Sequence, residues 1–271
     1  MRRTASTLAL VALLLVPGAV MAQDQPAYIW INQIKAQPGQ GDALIQMWLE
    51  EDSKVLNPLV DSGQALGWGV ALPVAHAGND PYSHVQWISF AGWAGVDAFM
   101  AKFMESQQGK SEEEKTAMAE KWQSVVVAGS HSDMINRSVH LGSGAPGSGG
   151  YINLGYYTAK PGKMSDAKKF YDDVAVPVYE QLVADGKIFN YGLHVPTVHL
   201  GESWTHMGWY WSADLAARDA VSAAFDAAEE ARSEDENKGI GERWAETFNP
   251  EGHTDQILMV VHHYAGGGGG E

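Results

Sequence analysis

An internal repeat constrains this chain more than any other feature of its sequence. Tyr28-Ile29 and the turn at Pro38-Gly39 recur 123 residues later as Tyr151-Ile152 and Pro161-Gly162. Further along, the spacing is 122 residues, and the matched pairs are His84 and His206, Trp87 and Trp209, Trp122 and Trp244, His131 and His253, and Asp133 and Asp255. Self-similarity at a fixed spacing is typical of a duplicated structural unit. We therefore expect two copies of one unit.

The hydrophobic pattern predicts the same order of elements in each copy. Residues 28–35 and 151–158 alternate as strands do, and the stretches after them carry apolar residues at helical spacing. Two more strands, a second helical region and a last strand follow in both copies. The order β-α-β-β-α-β is ferredoxin-like. The predicted fold class is therefore α+β, with two tandem ferredoxin-like repeats.

The first strand of each copy has one aliphatic face and one aromatic-polar face. In the first copy, Ile29 and Ile31 alternate with Tyr28, Trp30 and Asn32. A sheet face that is covered by helices is typically aliphatic. We therefore expect the helices to cover Ile29 and Ile31. The aromatic-polar face would then look toward the other copy, which would shield it from water.

The element order, the Lys160-Pro161-Gly162 turn and the run from Ser212 to Asp219 resemble the dimeric α/β-barrel superfamily, in particular its NIPSNAP-like and antibiotic-biosynthesis-monooxygenase-like branches. The resemblance covers nearly all of the mature chain, in both copies. Members of this superfamily usually dimerise to close a barrel. The resemblance implies that the tandem copies close such a barrel within one chain. Some relatives bind haem, but no residue here can be assigned as its axial ligand.

The N-terminal residues have the layout of a secretory signal peptide. Arg2-Arg3 precedes an apolar run from Leu8 to Val16, and Val20-Met21-Ala22 supplies small residues for cleavage. Export to the periplasm or the cell exterior is therefore expected. The predicted organisation is a signal peptide at 1–22, a first repeat at 23–141, a Gly/Ser linker at 142–150, a second repeat at 151–265 and a flexible tail at 266–271.

Charge and composition narrow the range of partners. The formal net charge is −15 at pH 7, which argues against nucleic acid and anionic membrane surfaces. There is no Cys for a disulfide, a lipid anchor or a thiolate ligand, and no His-x-x-x-His pattern lies on a predicted helix. No metal, no cofactor and no membrane anchor are therefore expected. Homo-oligomerisation stays open.

The aromatic-polar faces supply the candidate ligand site. Apolar walls with a few convergent polar groups are typical of small-molecule sites. We therefore predict a small apolar or aromatic ligand between the two sheets. The predicted contacts are Trp30, Asn32, His84, Gln86, Asn153, Tyr157, His206 and Tyr210. His84 and His206 are also the candidate catalytic bases. The alternative is that each His is hydrogen-bonded near a strand start and fixes the adjoining loop.

Two further patterns leave their roles open. His131-Ser132-Asp133 and His253-Thr254-Asp255 could be oriented bases, although a structural turn is favoured. His76 and His199 form a third histidine pair in the repeat. The predicted function is that of an exported small-molecule-binding protein. The alternatives are a cofactor-independent, monooxygenase-like enzyme and a structural or interaction module with a packed barrel.

Overall fold

The computed structural model of the chain describes residues 27–75, 80–198 and 204–266. The predicted signal peptide, His76, His199 and residues 267–271 of the predicted tail lie outside the described residues.

The described residues of the first half form four strands and four α-helices. A π-helical turn, Trp48–Asp52, joins the first two helices. The elements in chain order are β1 (Tyr28–Ile34), α1 (Gly41–Met47), α2 (Ser53–Asp61), β2 (Ala65–Pro73), β3 (His84–Phe90), α3 (Trp93–Gln108), α4 (Glu112–Val125) and β4 (Ser132–Leu141).

The second half repeats this order. A π-helical turn, Tyr171–Ala175, again interrupts the first helical region, and a 3-10 turn, Pro250–Gly252, precedes the last strand. The elements are β5 (Gly150–Tyr157), α5 (Met164–Phe170), α6 (Val176–Ala184), β6 (Asn190–Pro196), β7 (His206–Ser212), α7 (Ala217–Glu230), α8 (Glu234–Thr247) and β8 (Thr254–Tyr264).

The eight strands close into one antiparallel barrel, in the order β1-β3-β2-β8-β5-β7-β6-β4. Each half contributes four neighbouring strands in ferredoxin-like order. The halves meet where β2 pairs with β8 and where β4 pairs with β6. The predicted α+β fold, with tandem ferredoxin-like repeats closing a barrel within one chain, is confirmed.

The last helix of each half begins in a stretch rich in acidic residues. Helices α4 and α8 are both 14 residues long, and each has three acidic residues in its first turn. Ser111 accepts a hydrogen bond from the backbone of Glu114, whose side chain accepts one from the backbone of Ser111. Ser233 and Glu236 form the same capping box. These caps satisfy N–H groups that an uncapped helix start would expose.

The predicted orientation of the strand faces was wrong. Ile29 and Ile31 belong to the cluster inside the barrel, whereas Trp30 packs beneath the helices, edge-on to Phe99 of α3 at 5.5 Å between ring centroids. An eight-stranded barrel encloses an interior just wide enough for side chains or one small ligand, and the inward-facing residues alternate along each strand with those that face the helices. The helices bring aromatic and polar groups to the outer face of the sheet. The aromatic and polar side chains of the strand, such as Trp30, therefore pack on that face.

Candidate functional site

Four of the eight predicted contacts come together in the second half. Asn153, Tyr157, His206 and Tyr210 all line a cavity of about 260 Å³ between the second sheet and its helices, which we call the sheet–helix cavity. This is the outer side of the sheet, so their predicted position between the two sheets was wrong. The physical reason is the reversed orientation of the strand faces.

The walls of the sheet–helix cavity are largely aromatic. Besides the predicted residues, they include side chains from the π-helical turn and from α5, α6, α7 and α8. These aromatic residues are Phe170, Tyr171, Tyr179, Phe225, Trp244 and Phe248. Burial raises the pKa of Tyr157 to about 12, and it raises the pKa of Tyr171 well above the usual tyrosine value. These phenols are therefore neutral at physiological pH, and the aromatic part of the wall carries no charge.

Asn153 brings to the lining of this cavity a buried amide without a hydrogen-bond partner. Its side chain is only 6% exposed, and neither Nδ2 nor Oδ1 has a hydrogen-bond partner. An unsatisfied buried polar group costs roughly 1–3 kcal/mol. One amide presents both donors and an acceptor. A molecule that offers an oxygen and a hydroxyl in this position would satisfy both.

The equivalent space in the first half is occupied by larger side chains. Trp30 stands where the second half has Asn153, and its indole Nε1 donates to Asp133 Oδ1 at 2.7 Å. Asp255, the counterpart of Asp133, lines the sheet–helix cavity instead. Three further pairs of equivalent residues have the larger side chain in the first half. They are Asn32 and Gly155, Gln86 and Gly208, and Asp52 and Ala175.

In the first half, these larger groups bond to one another. Gln86 Nε2 donates to Asp52 Oδ2 at 2.7 Å, and Asn32 Nδ2 lies 3.5 Å from Gln86 Oε1. Burial raises the pKa of Asp52 to about 6. The predicted contacts Trp30, Asn32 and Gln86 therefore pack against protein groups in the structure. Whether any of them contacts a ligand stays a prediction.

The π-helical turns occur at equivalent positions in the two halves. Trp48–Asp52 and Tyr171–Ala175 are 123 residues apart and equally long. Such turns are frequent at functional sites because the extra residue redirects side chains. In the second half the turn places Tyr171, Val174 and Ala175 on the cavity wall. The sequence pattern gave no indication of either turn.

His84 and His206 have the same surroundings in the two halves. The Nδ1 atom of His84 lies 2.8 Å from Ser83 Oγ, and that of His206 lies 2.9 Å from Thr205 Oγ1. Each ring is also hydrogen-bonded to the backbone at the start of a helix, at Gly41 and Met164 respectively. Burial lowers the pKa of His206 to about 4. This geometry ties a strand start to a helix start. The catalytic role of both residues stays a prediction.

The rim of the sheet–helix cavity carries the second His-Thr-Asp motif. The ring of His253 stacks on Tyr157 with 4.7 Å between centroids, and His253 Nε2 lies 3.2 Å from Asp255 Oδ1. Arg218 also reaches this rim and is hydrogen-bonded to the hydroxyl of Tyr210. The rim is therefore polar and charged, whereas the walls are aromatic.

A second cavity, of about 320 Å³, lies inside the barrel and is called the barrel cavity below. Its lining comes from the inward faces of strands in both halves. The predicted contacts are not part of that lining. The two cavities lie on opposite sides of the second sheet, and Leu154, Trp209 and Gln256 contribute to both.

The comparisons with known proteins identify the fold. No family model matches the chain, and no curated protein matches it. Solved structures with the dimeric α/β-barrel fold do match, and the chain has this fold. A candidate monooxygenase from Fusobacterium nucleatum is 9% identical, with a TM-score of 0.56 over 90% of this chain and 97% of that one.

Two further structures resemble the chain along most of its length. A candidate monooxygenase from Lactobacillus acidophilus is 11% identical, with a TM-score of 0.54 over 90% of this chain and 98% of that one. A protein described as anthrone oxidase-like is 14% identical, with a TM-score of 0.52 over 91% of this chain and 95% of that one. Identities this low support the shared fold alone.

Two features are absent from the described residues. Three or more His, Asp or Glu side chains do not cluster there in a way that could hold a metal ion. Nor does that part of the chain contain a helix with the length and apolar character needed to cross a bilayer.

Proposed function

We propose that this chain binds a flat aromatic molecule with oxygen substituents in the sheet–helix cavity. The observation that carries the proposal is the buried, unpartnered amide of Asn153 at the wall of an aromatic cavity. Aromatic side chains favour stacked or edge-on contacts with a ring, and the amide would fix its orientation through hydrogen bonds.

The comparison between the halves supports this proposal. The first half fills the equivalent space with Trp30, whose indole ring packs beneath the helices. A planar ring in the sheet–helix cavity would lie against the corresponding part of the second sheet. It would replace a protein ring with a ligand ring and leave Asp255 and Arg218 at the rim.

Titration with 1,8-dihydroxyanthraquinone tests the proposal, because this probe is planar and carries both carbonyl and hydroxyl oxygens. Asn153→Leu keeps a side chain of similar size and removes the amide. We expect its dissociation constant to rise about tenfold, which corresponds to roughly 1.4 kcal/mol, the value of one good hydrogen bond. Asn237→Leu, on α8 and outside the cavity lining, is the matched control. Equal binding by the Asn153 variant would contradict the proposal.

The second candidate function is oxidation of such a ligand without a cofactor, and the names of the three structural neighbours favour it. With an anthrone, the ring CH₂ carbon would become a carbonyl. Dioxygen would supply that oxygen atom and leave its second atom as water, so that the substrate provides all the electrons.

The test for this reaction is the formation of anthraquinone from anthrone and dioxygen in the presence of a chelator, followed by absorbance. A double replacement, His84→Ala with His206→Ala, is expected to slow turnover if either imidazole helps to remove the proton. Unchanged turnover in a folded double variant would exclude both histidines as bases.

Export is a separate part of the proposal. It rests on the signal-peptide pattern of residues 1–22. N-terminal sequencing of protein secreted from its own cells should show a mature chain that begins after Ala22. A mature chain that retains Arg2 and Arg3 would contradict it.

A further inference from the structure

We propose that the barrel cavity is a second binding site, that it takes an uncharged apolar molecule, and that the linker between the two repeats closes its mouth. This inference goes beyond the ligand of the sheet–helix cavity, because it concerns the opposite side of the sheet and a largely different set of lining residues.

The barrel cavity is built symmetrically from the two halves. An eight-stranded barrel has an interior just wide enough to be filled by side chains or to hold one small ligand. Here about 320 Å³ stays open. The lining includes pairs of residues at equivalent positions, and these are Ile29 with Ile152, Ile31 with Leu154, Val85 with Met207 and Trp87 with Trp209.

The aromatic part of the lining forms two groups of contacting rings. Trp87 and Trp211 meet edge to face at 6.0 Å, and His263 stacks on Trp87 at 6.1 Å between centroids. His194 lies parallel to Trp209 at 5.7 Å. Cavities with largely apolar walls accept apolar guests. The wall therefore favours an aromatic or alkyl guest.

The barrel cavity has no charged lining. The residues that line it include no Asp, Glu, Lys or Arg. Burial lowers the pKa of His194 to about 3 and that of His263 to about 4, so both imidazoles are neutral at physiological pH. At one end, Tyr82 donates its hydroxyl to Gln256 Oε1 at 2.6 Å, which gives this amide oxygen a protein partner. An ion would lose its hydration here without compensation.

The linker crosses the other end of the barrel. Pro146 is part of the cavity lining. The indole Nε1 of Trp211 donates to the carbonyl of Gly149 at 2.7 Å, and His263 is hydrogen-bonded to the backbone of Gly147. A Cβ at Gly147 would lie 2.3 Å from the ring of Phe189, so the linker fits here only without a side chain. Hydrogen bonds from Trp211 and His263, which both line the cavity, thus hold the linker across this end of the barrel.

N-phenyl-1-naphthylamine, an uncharged aromatic fluorophore, is the probe for this site. Ile29→Phe and Ile152→Phe reduce the same cavity from opposite halves. We expect each to weaken binding of the probe at least tenfold, because the added ring overfills the space that the guest needs. Met259→Phe, at an exposed position of β8, should bind the probe normally. Unchanged affinity in both isoleucine variants would overturn the proposal.

Two measurements keep this test independent of folding and of the sheet–helix cavity. Xenon applied to crystals of the unmodified protein should give density inside the barrel, and no density there would overturn the proposal. Saturating 1,8-dihydroxyanthraquinone should leave N-phenyl-1-naphthylamine bound, since the sites are separate. Complete competition would assign both molecules to one site and overturn the second one.

The cover is tested by the dissociation rate. Trp211→Phe keeps an aromatic wall but removes the donor to Gly149. We expect release of N-phenyl-1-naphthylamine in stopped-flow experiments to become several-fold faster. A release rate equal to that of the unmodified protein would show that the linker does not control access.

Discussion

The two halves of this chain share one fold but differ in what lies beneath their helices. In the first half, Trp30 and the Asp52–Gln86 pair occupy the space between sheet and helices. In the second half, Asn153, Ala175 and Gly208 stand at the same positions, and a cavity of about 260 Å³ remains. The backbone is repeated down to the π-helical turns.

The comparison teaches that a binding site in a duplicated fold can arise by truncation of side chains. Four large-to-small differences open the second half, while the strands and helices around them stay in place. The same differences leave one polar group, the amide of Asn153, without a protein partner. The first half is thus an internal reference in which the space is closed by the protein itself.

Opening the space between sheet and helices in the first half should cause the largest loss of stability. Trp30→Ala removes a ring that packs against Phe99 and donates to Asp133. Replacement of an aromatic core residue by Ala costs about 3–5 kcal/mol, and we expect about 3 because Trp30 is only partly buried. Denaturant unfolding measures this loss. Val261→Ala, at an exposed position of β8, is the control. A loss no larger than in that control would mean that Trp30 does not hold the first half closed.

The buried carboxyl of Asp52 should make the first half sensitive to pH. Its pKa is raised from 3.8 to about 6, chiefly by burial, with a further contribution from Glu51. A raised carboxyl pKa means that the folded state holds its proton more tightly than the unfolded state does. The resulting stability is present below pH 3.8 and is lost as the pH rises to about 6, by on the order of 3 kcal/mol.

Asp52→Asn tests this dependence, because the amide keeps an acceptor for Gln86 and has no charge. We expect the variant to match the unmodified protein near pH 4 and to be more stable by on the order of 2–3 kcal/mol at pH 8. Chemical denaturation across this range is the measurement. Asp235→Asn, at the exposed start of α8, is the control. A constant difference between variant and unmodified protein at all pH values would contradict the assignment.

Closing the second half should abolish its site. Asn153→Trp introduces the residue of the first half, and its indole could donate to Asp255 as Trp30 donates to Asp133. We expect binding of 1,8-dihydroxyanthraquinone to fall about a hundredfold, or roughly 2.7 kcal/mol, because the ring would take the place of the ligand. Val261→Trp, at an exposed position of β8, controls for the added indole. Retained binding would place the ligand elsewhere.

Much of the fold could be predicted from the sequence, because it depends on local pattern and on the repeat. The third strands, His84–Phe90 and His206–Ser212, begin at a histidine pair that the repeat places 122 residues apart. The glycines that end α2 and α6, Gly63 and Gly186, have φ values of 74° and 65°, as a C-terminal cap requires. Turn chemistry of this kind can be recognised in a short window.

The position of the site could not be predicted in the same way. Alternation of Ile29 and Ile31 with Trp30 shows that the strand has two faces, but it does not show which face is drier. That depends on barrel closure, which is set by pairing between distant strands. A comparison of side-chain volumes between the copies would have pointed to the cavity, since Trp30 and Asn153 were both visible in the sequence.

The smallest predicted effect concerns Gly208, the counterpart of Gln86. A Cβ there would lie 3.5 Å from the ring of Tyr157 and 3.6 Å from that of Tyr171, which are ordinary contacts. Gly208→Ala should therefore fold normally and reduce the cavity by one methyl group. We expect 1,8-dihydroxyanthraquinone to bind two- to fivefold more weakly, because the added methyl group should reduce its binding free energy by less than about 1 kcal/mol.

Gly239→Ala makes the same chemical change on α8, where no atom would lie within 4 Å of the new Cβ. It should raise stability by about 0.5–1 kcal/mol through helix propensity and leave binding unchanged. The pair separates an effect on the cavity from an effect on the unfolded chain. If both alanine variants bind the probe equally well, the space beside Gly208 does not belong to the site. The difference between the two halves would then have to be sought at Asn153 alone.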